Sequence, residues 1–253
     1  MLAARPLAPC ARVYQLPRAG SSTAEYEDAV ATSRRGYRYA VADGASASAF
    51  ARLWAQLLVH AYTGGSLDAP TLEDDLAPAQ ARWLELVGRR RLPWYAEEQS
   101  RRGAFAALVG LSLGVDQHWS ALAVGDCCLF QIRGDALVTA IPLNDPSQFT
   151  VRPLLLGSRP AANGELRSAG AIVVADGTWQ PGDTFLLMSD ALAALFLSRV
   201  RAGGDPPLAA LDFDGTASGF RSWTRRLRSA GCLRNDDVSL LWLGIDLDYG
   251  AVT

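Results

Sequence analysis

The feature that most constrains this chain is how its apolar residues are cut into strand-length runs. The runs sit in neighbouring pairs, with helical stretches between the groups rather than after each run. Ala11–Leu16, Asp28–Ser33, Tyr37–Ala42, Phe105–Val115, Trp119–Val124, Leu129–Arg133, Ala136–Ile141, Ala171–Ala175, Thr184–Met188 and Val238–Ile245 alternate or stay apolar over strand lengths and are bounded by turn residues. Helical spacing instead governs Phe50, Leu53, Trp54, Leu57, Leu58 and Ala61, then Ala79–Gln99 with an interruption at Pro93, then Ala191–Val200, and finally Phe220, Trp223 and Leu227 within Thr216–Arg228. Hairpin-like strand groups with helices inserted in pairs exclude a repeating βαβ unit. They predict an α+β fold in which antiparallel sheets stack and α-helices cover their outer faces.

At 253 residues with 49% hydrophobic and 20% charged side chains, the chain can bury a large core, which excludes disordered, collagen-like and disulfide-scaffold classes. No repeat divides it, and Gly203-Gly204-Asp205-Pro206-Pro207 reads as a connector between helices, so a single domain over 1–253 is expected. The stretch Leu143–Gly170 is rich in turn residues and weak in periodicity, and reads as a long surface loop that could act as a flap. A net charge of −2 gives no footprint for nucleic acid or an anionic membrane. All 24 basic residues are Arg, which excludes Schiff-base chemistry and a phosphate loop built on Lys.

His60 and His118 are the only histidines, too few for a three-His zinc site, and His60 falls on a helical pattern where a packing role is expected. Cys10, Cys127, Cys128 and Cys232 form no Cys-x-x-Cys pair; reduced, buried thiols are expected, with Cys127 and Cys128 facing opposite sides of a strand. No signal-peptide pattern and no apolar run of about 18 residues is found, so residence in the cytoplasm, away from membranes, is the expectation.

Acidic residues gather at the ends of the apolar runs, in Tyr26-Glu27-Asp28-Ala29-Val30, in Ala42-Asp43-Gly44, in Met188-Ser189-Asp190 and in Arg234-Asn235-Asp236-Asp237-Val238. Each alone is an ordinary turn aspartate. Together, strand-end carboxylates from one sandwich can converge on a single cleft, where only protonation or cations relieve their repulsion. Oxygen ligands of this kind suit magnesium or manganese rather than zinc.

In order and wording these segments resemble the bacterial metal-dependent protein phosphatases of type 2C, the PPM family, over nearly the whole chain. The matching pairs are Glu27-Asp28, Asp43-Gly44, Gly125-Asp126, Ser189-Asp190 and Asp236-Asp237. The resemblance implies two antiparallel β-sheets packed face to face with α-helices outside, an αββα sandwich. It also implies phosphoserine/phosphothreonine hydrolysis by a water shared between two Mn²⁺ or Mg²⁺ ions. Asp43 would bridge the ions, the Gly44 carbonyl would bind one, and Asp190 and Asp236 would hold the other. Glu27 and Asp28 would act on the ion beside Gly44, Asp237 would orient the site, and Asp126 resembles a ligand of a third, weaker metal. A phosphorylated protein, an opposing Ser/Thr kinase and a monomeric enzyme are the implied partners and state.

The chain departs from the family pattern at three places. Thr23 stands where many members carry a phosphate-binding Arg; Arg18 is near enough in sequence to replace it, with Arg12, Arg34, Arg35 and Arg38 as further candidates. Ala45 stands where a His often follows Asp-Gly, and Ala191 replaces the Gly of Ser-Asp-Gly. These departures keep two alternatives open, a pseudophosphatase binding module and a phosphomonoesterase of small molecules. Asp212-Phe213-Asp214-Gly215-Thr216 copies the signature of the haloacid-dehalogenase-like phosphatases, but prolines precede it where a long apolar strand should be, so a helix-capping turn is expected.

Overall fold

The computed structural model describes residues 9–33, 37–68, 71–90, 94–149, 152–203 and 205–245. Arg34, Arg35 and Pro93 therefore lie outside the described residues. In chain order the elements are β1 (Pro9–Leu16), β2 (Ala29–Ser33), β3 (Arg38–Gly44), α1 (Ala51–Thr63), α2 (Leu72–Asp75), α3 (Ala77–Gly88), α4 (Trp94–Arg102), β4 (Phe105–Leu113), β5 (His118–Val124), β6 (Cys128–Arg133), β7 (Ala136–Ile141), β8 (Leu156–Gly157), β9 (Val173–Thr178), β10 (Thr184–Met188), α5 (Asp190–Ala202), α6 (Ala217–Ser229) and β11 (Val238–Ile245).

Two antiparallel sheets result, one ordered β1-β11-β10-β6-β7 and the other β2-β3-β4-β5-β9, with β8 paired to β4. The central strands read as unbroken apolar runs because both of their faces are covered. Along β3, Tyr39 and Val41 point between the sheets, whereas Ala40 and Ala42 meet α1 and α3. Phe185 and Leu187 of β10 likewise face the other sheet, while Leu186 and Met188 pack under α5 and α6. The edge strand β9 instead alternates half-buried and exposed residues.

Several expectations are corrected by this packing. On α1 the buried residues are Ala51, Trp54, Ala55, Leu58, Val59, Tyr62 and Thr63, and His60, two positions beyond Leu58, falls on the opposite, exposed face. Cys127 and Cys128 do enter different layers, but Cys10 and Cys232 are exposed, and all four thiols are free. The helical stretch expected over Ala79–Gln99 divides earlier, α3 ending at Gly88, and a short α2 precedes it.

The segment 143–170, read as an irregular surface loop, contains β8 and three 3₁₀ turns. Leu156, Ser158, Asn163 and Leu166 are buried, and Trp54 Nε1 donates to the Leu156 carbonyl at 2.8 Å. The Asp-x-Asp-Gly-Thr segment is a capping turn: Thr216 Oγ1 accepts from Gly219 N at 3.0 Å at the start of α6, and Asp214 accepts from the Thr216 amide.

Candidate metal and phosphate site

Antiparallel registry carries the acidic segments to one end of the sandwich. The β2–β3 pairing sets Ala29 opposite Ala42, so Asp28 and Asp43 follow at the same end of that ladder. In the facing sheet, Met188 is opposite both Leu240 and Cys128, which places Ser189-Asp190, Asp236-Asp237 and Asp126 just beyond the paired ends of β10, β11 and β6. Ser239 N donates to Ser189 Oγ at 2.9 Å and continues the ladder into the site. Gly44 is required by close approach, since a Cβ there would stand 2.8 Å from the Glu27 carbonyl oxygen and 3.0 Å from Ala51.

Asp237 ties the two sheets' loops together. Its Oδ1 accepts from Arg18 N at 2.8 Å and its Oδ2 from Glu27 N at 2.7 Å. Asp28 is 3% exposed; Tyr26 OH reaches its Oδ2 at 3.4 Å, while Oδ1 has no hydrogen-bond partner among the described residues.

The electrostatics follow from burial. Asp28 is pushed up to about 8, first by burial and then by Asp237, with the Ser189 and Ser239 hydroxyls opposing. Asp43 is raised well above the usual carboxylate range by burial, then by Asp28, Asp190 and Asp126. Asp126 rises to about 7 through burial and Asp190. Asp190 is raised by burial against the pull of Arg234, and Glu27 by burial against Ser46 and Arg18.

Asp183 offers a contrast within the same fold. Burial pushes it up too, but Arg133, Gln131 and the Gln180 amide more than offset this and hold it below the ordinary value. Asp28, Asp43 and Asp126 at the sandwich end have no comparable set of donors among the described residues. Cys127 behind it is raised by burial and by Asp43, which keeps the thiol protonated and unsuited to nucleophilic attack.

Two cations border the acids. Arg234, two residues before Asp236, bonds Asp190 and stands 3.2 Å from Asp236 Oδ2. Arg18 donates from Nε to Ser21 Oγ at 3.0 Å and from Nη1 to Ser46 Oγ at 3.1 Å, and Ser46 in turn bonds Glu27. A cleft of about 550 Å³ opens beside Glu27 and is lined by Arg18, Arg52 and Arg90 among others.

Of the other clamp candidates, Arg38 begins β3, at the far end from Asp43, and pairs with Asp68 at 3.0 Å; Arg12 lies near Gly215 at the turn before α6. Sequence reasoning missed Arg234, Ser46 and Arg52. Only Arg234 left a readable signal, a guanidinium inside the last acidic segment.

The donor set is all oxygen, is mutually repelling and includes the unpartnered Asp28 Oδ1, a chemistry suited to hard divalent cations. Among the described residues no three His, Cys, Asp or Glu side chains stand close enough to share one ion.

The fold that carries this site is that of the PPM-type serine/threonine phosphatases. The serine/threonine phosphatase PstP/Ppp of Mycobacterium tuberculosis is similar with a TM-score of 0.60 at 16% identity, covering 94% of this chain and 99% of that one. The catalytic domain of PstP in complex with two manganese ions gives a TM-score of 0.57 at 16% identity, over 96% of this chain and 100% of that one. PppA, a regulatory component of T6SS in Pseudomonas aeruginosa, gives 0.54 at 22% identity, over 94% and 98%. No protein-family model and no curated protein matches the chain.

Proposed function

We propose that this chain is a metal-dependent phosphoserine/phosphothreonine protein phosphatase, working against a Ser/Thr kinase on shared protein substrates. The observation that carries the reading is the convergence of Asp28, Asp43, Asp126, Asp190 and Asp236 at one end of the sandwich, with burial raising Asp28, Asp43, Asp126 and Asp190 and leaving Asp28 Oδ1 without a partner. Asp43, the Gly44 carbonyl, Asp190 and Asp236 would hold the Mn²⁺ or Mg²⁺ ions, helped by Glu27 and Asp28, with Asp126 available to a further ion. Bound there, the ions would neutralise the phosphoryl oxygens and acidify a water for in-line attack.

The chain's own groups then have distinct tasks. Arg18 reaches the rim beside Glu27 and is placed to hold a phosphate. Asp237 positions the Arg18 and Glu27 backbones and touches no substrate. Ala45 offers no acid, so the leaving oxygen takes its proton from solvent. No covalent intermediate is needed, in keeping with the protonated Cys127.

Phosphate release from a phosphothreonine peptide and from p-nitrophenyl phosphate, measured in Mn²⁺ and in excess chelator, tests the reading. Turnover with metal that disappears in Asp43→Ala and Asp190→Ala supports it; unchanged turnover in chelator refutes it. A binding-module reading draws on the contact of Arg234 with Asp190 and Asp236, and would be favoured if the folded protein takes up no metal.

A further inference from the structure

Most Arg side chains with a described partner are neutralised locally. Arg38 pairs with Asp68, Arg82 and Arg89 with Glu85, Arg101 with Glu98, Arg133 with Asp183, Arg167 with Glu73 and Arg201 with Asp145. One region breaks this pattern. The segment Gln15–Thr23 and helix α6 enclose a groove of about 460 Å³ into which Arg18, Arg221, Arg225 and Arg228 project, and no acidic residue lines it.

The sequence of α6 dictates the arrangement. Phe220, Trp223, Thr224 and Leu227 are its buried face, so positions 221, 225 and 228, spaced four and three apart, share another. Arg221 and Arg225 are exposed, and neither forms an ion pair or hydrogen bond among the described residues. Arg228 is fixed by bonds from Nη1 to the Pro17 carbonyl at 2.8 Å and from Nη2 to the Asp236 carbonyl at 2.5 Å. Both bonds hold its side chain against the Gln15–Thr23 segment and the residue before Asp237. Arg221 and Arg225, one helical turn apart and without a counter-ion among the described residues, repel each other, and a bound anion would relieve that repulsion.

The groove is continuous with the acidic centre. Its Arg18 donates its backbone amide to Asp237 and its side chain to Ser46 beside Glu27, while Arg228 bonds the Asp236 backbone. A peptide whose phosphate reached the centre would have neighbouring residues within reach of α6. We propose that this groove binds Asp and Glu side chains flanking the phosphorylated residue, so that acidic phosphoprotein segments are the preferred substrate class. Guanidinium forks match carboxylates bidentately, and the two free ones, Arg221 and Arg225, can read acids in an extended segment while Arg18 and Arg228 hold the groove's wall beside them. The proposal rests on the phosphatase reading for its substrate but not for the binding event.

The test compares wild type with an Arg221→Ser/Arg225→Ser double variant, two exposed positions outside the acidic centre. With Mn²⁺, wild type should turn over a Glu-flanked phosphothreonine peptide with kcat/KM about tenfold above a Gln-flanked one, and the gap should shrink as NaCl is raised. The double variant should lose the preference while keeping wild-type rates on the Gln-flanked peptide and on p-nitrophenyl phosphate. Equal use of both peptides by wild type, or a preference that survives in the double variant, overturns the proposal.

Fluorescence anisotropy with a labelled, unphosphorylated Glu-rich peptide separates the two readings, because it needs no turnover. Binding that weakens about tenfold in the double variant supports the groove even if no phosphate is ever released. Equal binding by both proteins, or tighter binding of a labelled DNA oligonucleotide of the same charge, overturns it.

Discussion

Replacing Arg234 by Gln probes the acidic centre most sensitively. In the structure this guanidinium bonds Asp190, whose side chain is 13% exposed, and stands 3.2 Å from Asp236, which is 39% exposed; Arg234 itself is 52% exposed. A fully exposed ion pair contributes about 0.2–1 kcal/mol, and breaking a buried one costs about 3–5 kcal/mol. With one largely buried partner and a half-exposed cation, the two contacts together should be worth about 1–2 kcal/mol. Cations binding Asp190 and Asp236 must displace the guanidinium and forgo that free energy.

Arg234→Gln should therefore bind Mn²⁺ about 5–30-fold more tightly than wild type in calorimetric titration. Its metal-free form should melt several degrees lower, at about 2–4 °C per kcal/mol for a chain of this size. A variant with unchanged Mn²⁺ affinity and unchanged metal-free melting would show that Arg234 does not occupy the centre in solution, and the reasoning would fail.

Three further outcomes are expected. Because Asp28 is raised to about 8 and Asp126 to about 7, the native protein holds protons that the unfolded chain has released above about pH 4. Metal-free stability should fall as pH rises from about 4 to 8, and Mn²⁺ affinity should climb across the same window; melting that is flat or rises with pH would contradict this. Asp43→Asn should raise the metal-free melting temperature by about 2–4 °C, reflecting about 1 kcal/mol of relieved cost of burying the carboxyl among Asp28, Asp190 and Asp126, and should reduce the further rise given by Mn²⁺, both read by thermal unfolding. Arg18→Ala should raise KM for a phosphopeptide about tenfold with Mn²⁺ affinity held within about twofold; an unchanged KM would return Arg18 to a purely structural role.

The layered fold was legible because β3, β4, β10 and β11 are covered on both faces and so read as apolar runs that no surface element would tolerate. Acids at strand ends were legible for the same reason, since a carboxylate directly against such a run marks where the sheet stops. What stayed hidden depends on contacts between distant segments. Nothing local separates Arg18 from Arg38, yet the β2–β3 register sends Arg38 to the opposite end of β3 from Asp43. A two-residue strand such as β8 is too short to show periodicity; it exists because it pairs with Phe105 and Ala106 of β4. His60 was misplaced by reading a helical stretch without fixing the angle of its buried face, which Trp54 and Leu58 set. Arg234 looks solvated in a polar segment, and only the approach of β10 to β11 gives it Asp190 as a partner.

Whether the acids at the sandwich end form the proposed divalent-metal centre is read directly by anomalous diffraction from crystals saturated with Mn²⁺. Manganese peaks are expected among Asp43, Asp190 and Asp236, with Arg234 turned away from both of its present partners. Crystals that show no peak there at saturating Mn²⁺, with Arg234 still against Asp190 and Asp236, would contradict it.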